Sequence, residues 1–177
     1  GGHVFPALEF IKLAMANGHK VYWFGTKRGI ERNNLPANCH LFEMNAVGYR
    51  GKRFLQKIFS IFRLAQTIFE VAIKFIKYKP KKVLCFGGYV SLPVGLVAVL
   101  FRVPIYLHEQ NTVLGTANKI LLKFAKKCFL GLPLIDTQKS GHFELTGNPI
   151  RKILLEPDQE YDLSLIHISE PTRPRSI

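Results

Sequence analysis

Residues 81–111, KKVLCFGGYVSLPVGLVAVLFRVPIYLHEQN, decide the fold class. An apolar run over 81–88 ends on Gly87-Gly88, a helical stretch follows over 91–101, and a second apolar run covers 103–109. The two runs are continuous rather than alternating, so each predicts a strand buried on both faces. Two such strands joined by a helix form a parallel pair with a crossover. Pro93 is placed in the first helical turn, where its missing N–H costs little, and Ser91 is a candidate N-cap.

The same alternation extends outward. PALEFIKLAMA (6–16) has helical spacing, with Pro6 suited to the first turn and Asn17-Gly18 to stop it. KVYWFGT (20–26) predicts a strand, and residues 40–47 a weaker one. A long helix is expected over 54–78, a further helix over 115–127 and a short strand over 128–132. The fold class is α/β, with a parallel sheet covered by helices on both faces.

The chain of 177 residues is 47% hydrophobic, enough for one domain with a full core. Lys and Arg number 25 against 12 Asp and Glu, so the net charge of +13 favours anionic partners. Nucleic acid is not favoured, because the aromatics sit in apolar stretches rather than among arginines as a stacking platform. No zinc-ligand spacing, EF-hand or P-loop occurs, and neither a metal nor a cofactor is implied. Cys39, Cys85 and Cys128 are widely spaced and odd in number, which suits reduced thiols. The opening GGHVFPALEFIK lacks a signal-peptide pattern, and its paired glycines suggest that a first strand precedes it. SLIHISEPTRPRSI (164–177) resembles the translation of a sequencing adapter and is expected to be a non-native tail.

Ligands of parallel sheets bind beyond the carboxyl ends of the strands, which directs attention to four loops. Gly1-Gly2-His3 opens a helix, and freed backbone N–H groups at a helix mouth suit a phosphate. Gly87-Gly88, followed by Tyr89, repeats that logic. His108-Glu109-Gln110-Asn111, followed at 115–119 by GTANK, offers a base, an anion and amides able to orient a hydroxyl-rich ligand. Thr146-Gly147-Asn148-Pro149 is a turn leading to Arg151, which can meet a carboxylate or a diphosphate bidentately.

The long helix carries Gln56, Ser60, Arg63, Thr67, Glu70, Lys74 and Lys77 on one narrow polar stripe. Its remaining apolar arc, including Ile58, Phe59 and Phe62, is wider than docking on one sheet face requires. Residues 48–82 hold ten Lys or Arg against the single acid Glu70. An apolar face with a basic border suits an anionic bilayer surface, while Arg63, Glu70 and Lys74 argue against a membrane span.

Five motifs in order, GGHVFPAL, GTKRGIE (25–31), FGGYVSLPVGL, HEQNTVLGTANK and TGNPIR, closely resemble the MurG family of glycosyltransferases. The resemblance runs from residue 1 to about 155, with Ser91-Leu92-Pro93 standing where the family usually has Ser-Gly-Pro. It implies a Rossmann-like acceptor-binding domain over 1–155, the N-terminal half of a two-domain GT-B enzyme, with an interdomain segment starting at 156–163. The implied reaction is inverting transfer of N-acetylglucosamine from UDP-N-acetylglucosamine to lipid I, forming lipid II on the cytoplasmic face of the bacterial inner membrane. The resemblance implies substrate contacts for Gly1, Gly2, Asn111 and Arg151, and cleft positions for Glu109, Asn118 and Tyr89. The diphosphate is expected at the glycine-opened helix mouths, including Gly87 and Gly88. His3 is the first choice of base and Glu109 the second. Another two-domain nucleotide-sugar glycosyltransferase, or a non-catalytic basic module binding membrane or RNA, remains an alternative. The chain alone is expected not to turn over.

Overall fold

The structure, a computed structural model, describes residues 3–26, 29–44, 54–135 and 142–149, with 54–61 described as backbone alone. Six strands and four helices alternate through these residues. They are α1 (Val4–Ala16), β1 (Tyr22–Thr26), β2 (His40–Met44), α2 (Phe54–Tyr78), β3 (Val83–Cys85), α3 (Gly88–Leu100), β4 (Ile105–Glu109), α4 (Thr116–Leu121), β5 (Ala125–Leu130) and β6 (Phe143–Leu145). All pairings are parallel: β1 pairs with β2, and β3, β4, β5 and β6 pair in that order. The α/β parallel architecture expected from the apolar runs is the one observed.

The centre of the core lies where α2, α3 and α4 cover β3, β4 and β5. Val97, Ala98, Ile105, Leu107, Leu121 and Cys128 are all inaccessible to solvent or nearly so. Full burial of side chains the size of Ile105 and Leu107 contributes about 1.5–3 kcal/mol each, so β4 is the best-anchored strand. The Cβ of an alanine at Gly95 would stand 2.5 Å from both Leu121 methyl carbons, so glycine there lets α3 and α4 approach closely. Cys39, Cys85 and Cys128 are free, and burial pushes the thiols of Cys85 and Cys128 each up to about 12, the charge of Glu109 adding to the effect at Cys128.

Four local expectations are corrected. Helix α3 begins at Gly88 rather than 91, so Ser91 is not its N-cap; Ser91 lies within the first turn and its hydroxyl donates to Gly87 O at 2.6 Å. Pro93 is therefore the sixth helical residue, and its ring removes the bond an N–H would have made to the Tyr89 carbonyl. The helix expected over 115–127 stops at Leu121, passes through a 3-10 turn at Leu122–Phe124 and becomes strand β5 at Ala125. Pairing with β4 overrides the helical spacing there: Ala125, Cys128 and Leu130 are buried, whereas Lys126 and Lys127 stay exposed. Strand β6 was not foreseen, since three residues with exposed Glu144 and Leu145 carry no apolar run.

Helix α2 has the expected bounds, but its burial is more particular. Thr67, expected on the polar stripe, is buried with Val71 and Phe75, and its hydroxyl donates to Arg63 O at 2.8 Å. On the opposite side Phe62, Phe69, Ile73 and Ile76 are exposed. Their intervals of seven, four and three residues place them on one helix face. The side chains of Ile58 and Phe59 lie outside what is described, as do residues 156–163 and the tail at 164–177. Among the described residues no helix is long and apolar enough to cross a membrane.

Candidate functional site

Four chain segments meet at the carboxyl ends of β3 and β4: His3 at the start of α1, Gly87 before α3, the loop after β4, and Gly147 after β6. Each reaches this point for a local reason. Gly87 has φ 88° and ψ −167°, a backbone region nearly closed to other residues, and this turns the chain from β3 into α3. An alanine Cβ there would lie 3.4 Å from Nδ2 of Asn118 and 3.4 Å from the His3 ring. Gly87 thus sits against both.

The loop after β4 is organised by the strand's own period of two. Successive side chains of a strand point to opposite faces, so His108 and Gln110 share one face and Glu109 and Asn111 the other. The hydrogen bonds divide accordingly. Gln110 Nε2 lies 3.1 Å from His108 Nδ1. Asn111 donates to Glu109 Oε1 from its backbone N–H at 3.2 Å and from Nδ2 at 3.0 Å.

Glu109 is fully buried and accepts on both oxygens. Its Oε2 takes the Gly115 N–H and Asn118 Nδ2, each at 2.9 Å. Asn118, also fully buried, donates from the same nitrogen to the His108 carbonyl at 3.2 Å. Among the described residues, Asn118 Oδ1 has no hydrogen-bond partner. This carboxylate ties strand end, loop and α4 together, an arrangement in which the negative charge is spread over four donors.

The other face runs toward α1. His3 Nδ1 lies 2.6 Å from Gln110 Oε1, and His108 Nε2 lies 3.4 Å from Gly147 O. The Phe86 ring covers His108 at 5.2 Å between centroids. Burial holds the His108 imidazole below its ordinary value, outweighing the opposing pull of the Gly147 carbonyl and the Glu109 charge. Asn148 Nδ2 approaches Gln110 O at 3.4 Å, so the turn after β6 is tied to the same loop.

Of the residues singled out from sequence, His3, Gly87, Glu109 and Asn118 come together here. Gly88 has φ 75°, and no described residue lies within 4 Å of where its side chain would be. Tyr89 is 45% exposed in the first turn of α3, and Asn111 is exposed while bonded to Glu109. Gly1, Gly2 and Arg151 lie outside the described residues. His108 and Gln110, read from the sequence as a possible base and an amide for a hydroxyl-rich ligand, bond instead to each other, to Gly147 O and to His3, and Gly147 was read only as part of a turn. Among the described residues, no three His, Cys, Asp or Glu side chains are grouped as metal ligands would be.

Residues 1–130 match the Glycosyltransferase family 28 N-terminal domain. The chain belongs to that family. It is 41% identical over 167 residues to the UDP-N-acetylglucosamine--N-acetylmuramyl-(pentapeptide) pyrophosphoryl-undecaprenol N-acetylglucosamine transferase of Sulfurihydrogenibium sp. (strain YO3AOP1), covering 91% of this chain and 47% of that protein. The Pseudomonas fluorescens (strain Pf0-1) protein of the same name is 41% identical over 155 residues, covering 87% of this chain and 43% of its own length. The crystal structure of Acinetobacter baumannii MurG superposes with a TM-score of 0.70 at 30% identity, over 89% of this chain and 45% of that one. The chain thus spans about half the length of the relatives it matches. The family 28 assignment fits a site built at the carboxyl ends of parallel strands, beside a glycine-opened helix mouth.

Proposed function

We propose that this chain is the acceptor-binding half of an inverting N-acetylglucosaminyltransferase that uses UDP-N-acetylglucosamine and lipid I to form lipid II. The observation that carries the proposal is the packing of His3 against Gly87, with Gln110 and Asn118 beside them, at one rim of the sheet. The similarity to relatives bearing that transferase name supports the substrates.

In this reading the acceptor's C4 hydroxyl attacks the anomeric carbon of the donor, and UDP leaves with the electrons of the broken glycosidic bond. His3 takes the hydroxyl proton. The backbone at Gly87-Gly88 and the α3 N-terminus receive diphosphate charge, joined by Gly1, Gly2 and Arg151. Glu109, with both oxygens engaged, serves as the scaffold that sets Asn111 and Asn118 rather than as a base. Tyr89 and Asn111 present their exposed side chains to the sugars.

The apolar outer face of α2, formed by Phe62, Phe69, Ile73 and Ile76, rests on anionic lipid at the cytoplasmic leaflet. The protein is peripheral there, and nucleic acid is not a partner. In this reading most of the donor site belongs to the half of the relatives that this chain does not match, and transfer is tested with that half present.

A chimera tests this directly. Residues 1–149 replace the matching half of the Pseudomonas fluorescens relative, and transfer of labelled N-acetylglucosamine to a lipid I analogue is measured. Transfer is expected, and His3→Ala is expected to lower it by roughly 10²- to 10⁴-fold, the usual contribution of a general base. A folded chimera that shows no transfer, or that uses another acceptor in preference, overturns the assignment.

A further inference from the structure

Four groups from three distant parts of the chain stand in one line: the Gly147 carbonyl, His108, Gln110 and His3. The separations are 3.4, 3.1 and 2.6 Å. The first member fixes the rest. A carbonyl oxygen only accepts, so His108 must carry its proton on Nε2. His108 is buried under Phe86, which lowers its proton affinity, so at pH 8 it is neutral and its Nδ1 is a lone pair that accepts. Gln110 therefore turns its NH2 toward His108 and its carbonyl oxygen toward His3. That oxygen in turn accepts, so His3 Nδ1 carries the proton.

The opposite setting fails at its far end. Rotating the Gln110 amide would place NH2 against His3 and require His108 to donate from Nδ1. A neutral His108 would then face the Gly147 carbonyl with a lone pair. Only one arrangement satisfies every partner.

We propose that Gln110 and His108 are positioning residues that hold His3 as its Nδ1–H tautomer, leaving Nε2 as the nitrogen that receives the acceptor's proton. The inference rests on His3 as the base and names the two residues that prepare it. The step balances simply. The acceptor O–H bond breaks, an N–H bond forms at His3 Nε2, and the oxygen's electrons form the new glycosidic bond. His3 becomes an imidazolium whose Nδ1–H still points at the Gln110 oxygen. Nothing has to rotate during the transfer, and the amide dipole already faces the developing positive charge. Free imidazole in water prefers the other tautomer, so this placement is something the protein must impose.

The test is 15N NMR of the imidazoles in the 177-residue chain at pH 8, with His3 assigned by the signals lost in His3→Gln. His3 is expected to show a protonated Nδ1 and an unprotonated Nε2, and His108 the reverse. In Gln110→Met, His3 is expected to shift toward the Nε2–H form while His108, still anchored at Gly147, stays as it was. In Gln110→Glu, whose oxygens accept from both rings, His3 keeps Nδ1–H and His108 changes its protonation pattern. A parent chain with His3 in the Nε2–H form, or a His3 pattern unmoved by Gln110→Met, overturns the proposal.

In the active chimera Gln110→Met is expected to lower kcat on the order of tenfold or more with KM for both substrates held, and Gln110→Glu to restore part of it. Unchanged kcat in Gln110→Met also overturns it. Full activity in His3→Ala would instead remove the base assignment, and the NMR result would still report separately on whether the relay sets the tautomer.

Discussion

Asn118 Nδ2 lies 2.9 Å from Glu109 Oε2, and neither residue is accessible to solvent. Three further donor contacts, from Asn111 N, Asn111 Nδ2 and Gly115 N, complete the carboxylate's shell. Glu109→Gln keeps the shape but replaces one acceptor with a donor. Either orientation of the new amide sets an NH2 against two N–H groups. Hydrogen bonds to a charged partner are worth about 1.5–3 kcal/mol each, so the loss is expected to be about 3 kcal/mol or more. For a chain of this size that lowers Tm by about 6–12 °C. Thermal melts followed by circular dichroism check it. A variant melting within a degree or two of the parent would show that the carboxylate is not the scaffold of this loop.

Gly87 and Gly88 both have positive φ, but they differ in surroundings. Gly87 combines φ 88° with ψ −167° and has Asn118 and His3 at 3.4 Å, whereas among the described residues nothing lies within 4 Å of the position at Gly88. Gly87→Ala is expected to cost about 1–3 kcal/mol from backbone strain and to disturb the His3 ring as well. Gly88→Ala bears only the milder left-handed penalty of about 1–2 kcal/mol. Urea midpoints of the two variants give the stabilities, and the His3 NMR signals show whether its ring is disturbed. Equal effects on His3 would contradict the packing.

Much of the fold was legible because β3, β4 and α2 announce themselves by composition: continuous apolar runs for the strands, a narrow polar stripe for the helix. Where local spacing and sheet pairing disagree, the sequence misleads. ANKILLKFAKK keeps helical spacing to Lys127, yet the chain enters the sheet at Ala125 because Cys128 and Leu130 are needed against β4. β6 was invisible because an edge strand of three residues is held by its partner rather than by its own apolar content. At the site, paired glycines before a helix exposed Gly87 and His3. Gln110 was legible only as an amide of the HEQN quartet; its bond to His3 was not, because the two residues are 107 apart and no local spacing joins them.

His108 makes stability depend on pH in a definite direction. Burial lowers its affinity for a proton in the folded state, so the unfolded chain binds that proton more readily. Stability from this residue is fully present above the ordinary histidine value of about 6.5, and it is lost as pH falls from there through the lowered folded value. Urea midpoints measured between pH 8 and pH 5 are expected to fall more steeply for the parent than for His108→Gln, which has no proton to gain. Parallel curves for the two proteins would mean that His108 is not held neutral in the fold.

The two apolar faces of α2 have opposite fates under mutation. Val71 and Phe75 are almost fully buried against the sheet, while Phe62 is 70% and Phe69 67% exposed on the far side. A glutamate at Val71 places a carboxylate in the core and is expected to prevent folding. Phe62→Glu and Phe69→Glu remove no core contact, so Tm is expected to move by less than about 2 °C, in keeping with the small effect of surface substitutions. Under the membrane contact proposed for this face, their consequence is a loss of lipid binding. Taking one phenyl group out of a lipid surface forfeits about 1.5–3 kcal/mol, roughly a tenfold loss of binding or more, and the added charge opposes anionic lipid further. Lys74 and Lys77 border this face, with their ammonium groups 5.3 and 5.4 Å from the Phe42 and Tyr78 ring centres. Binding to vesicles containing anionic lipid is therefore expected to weaken with added salt as well. Co-sedimentation of the parent, Phe62→Glu and Phe69→Glu at two salt concentrations separates the contributions. If neither mutation nor salt changes binding, the outer face of α2 does not meet lipid, and its four exposed apolar side chains must be covered by protein instead.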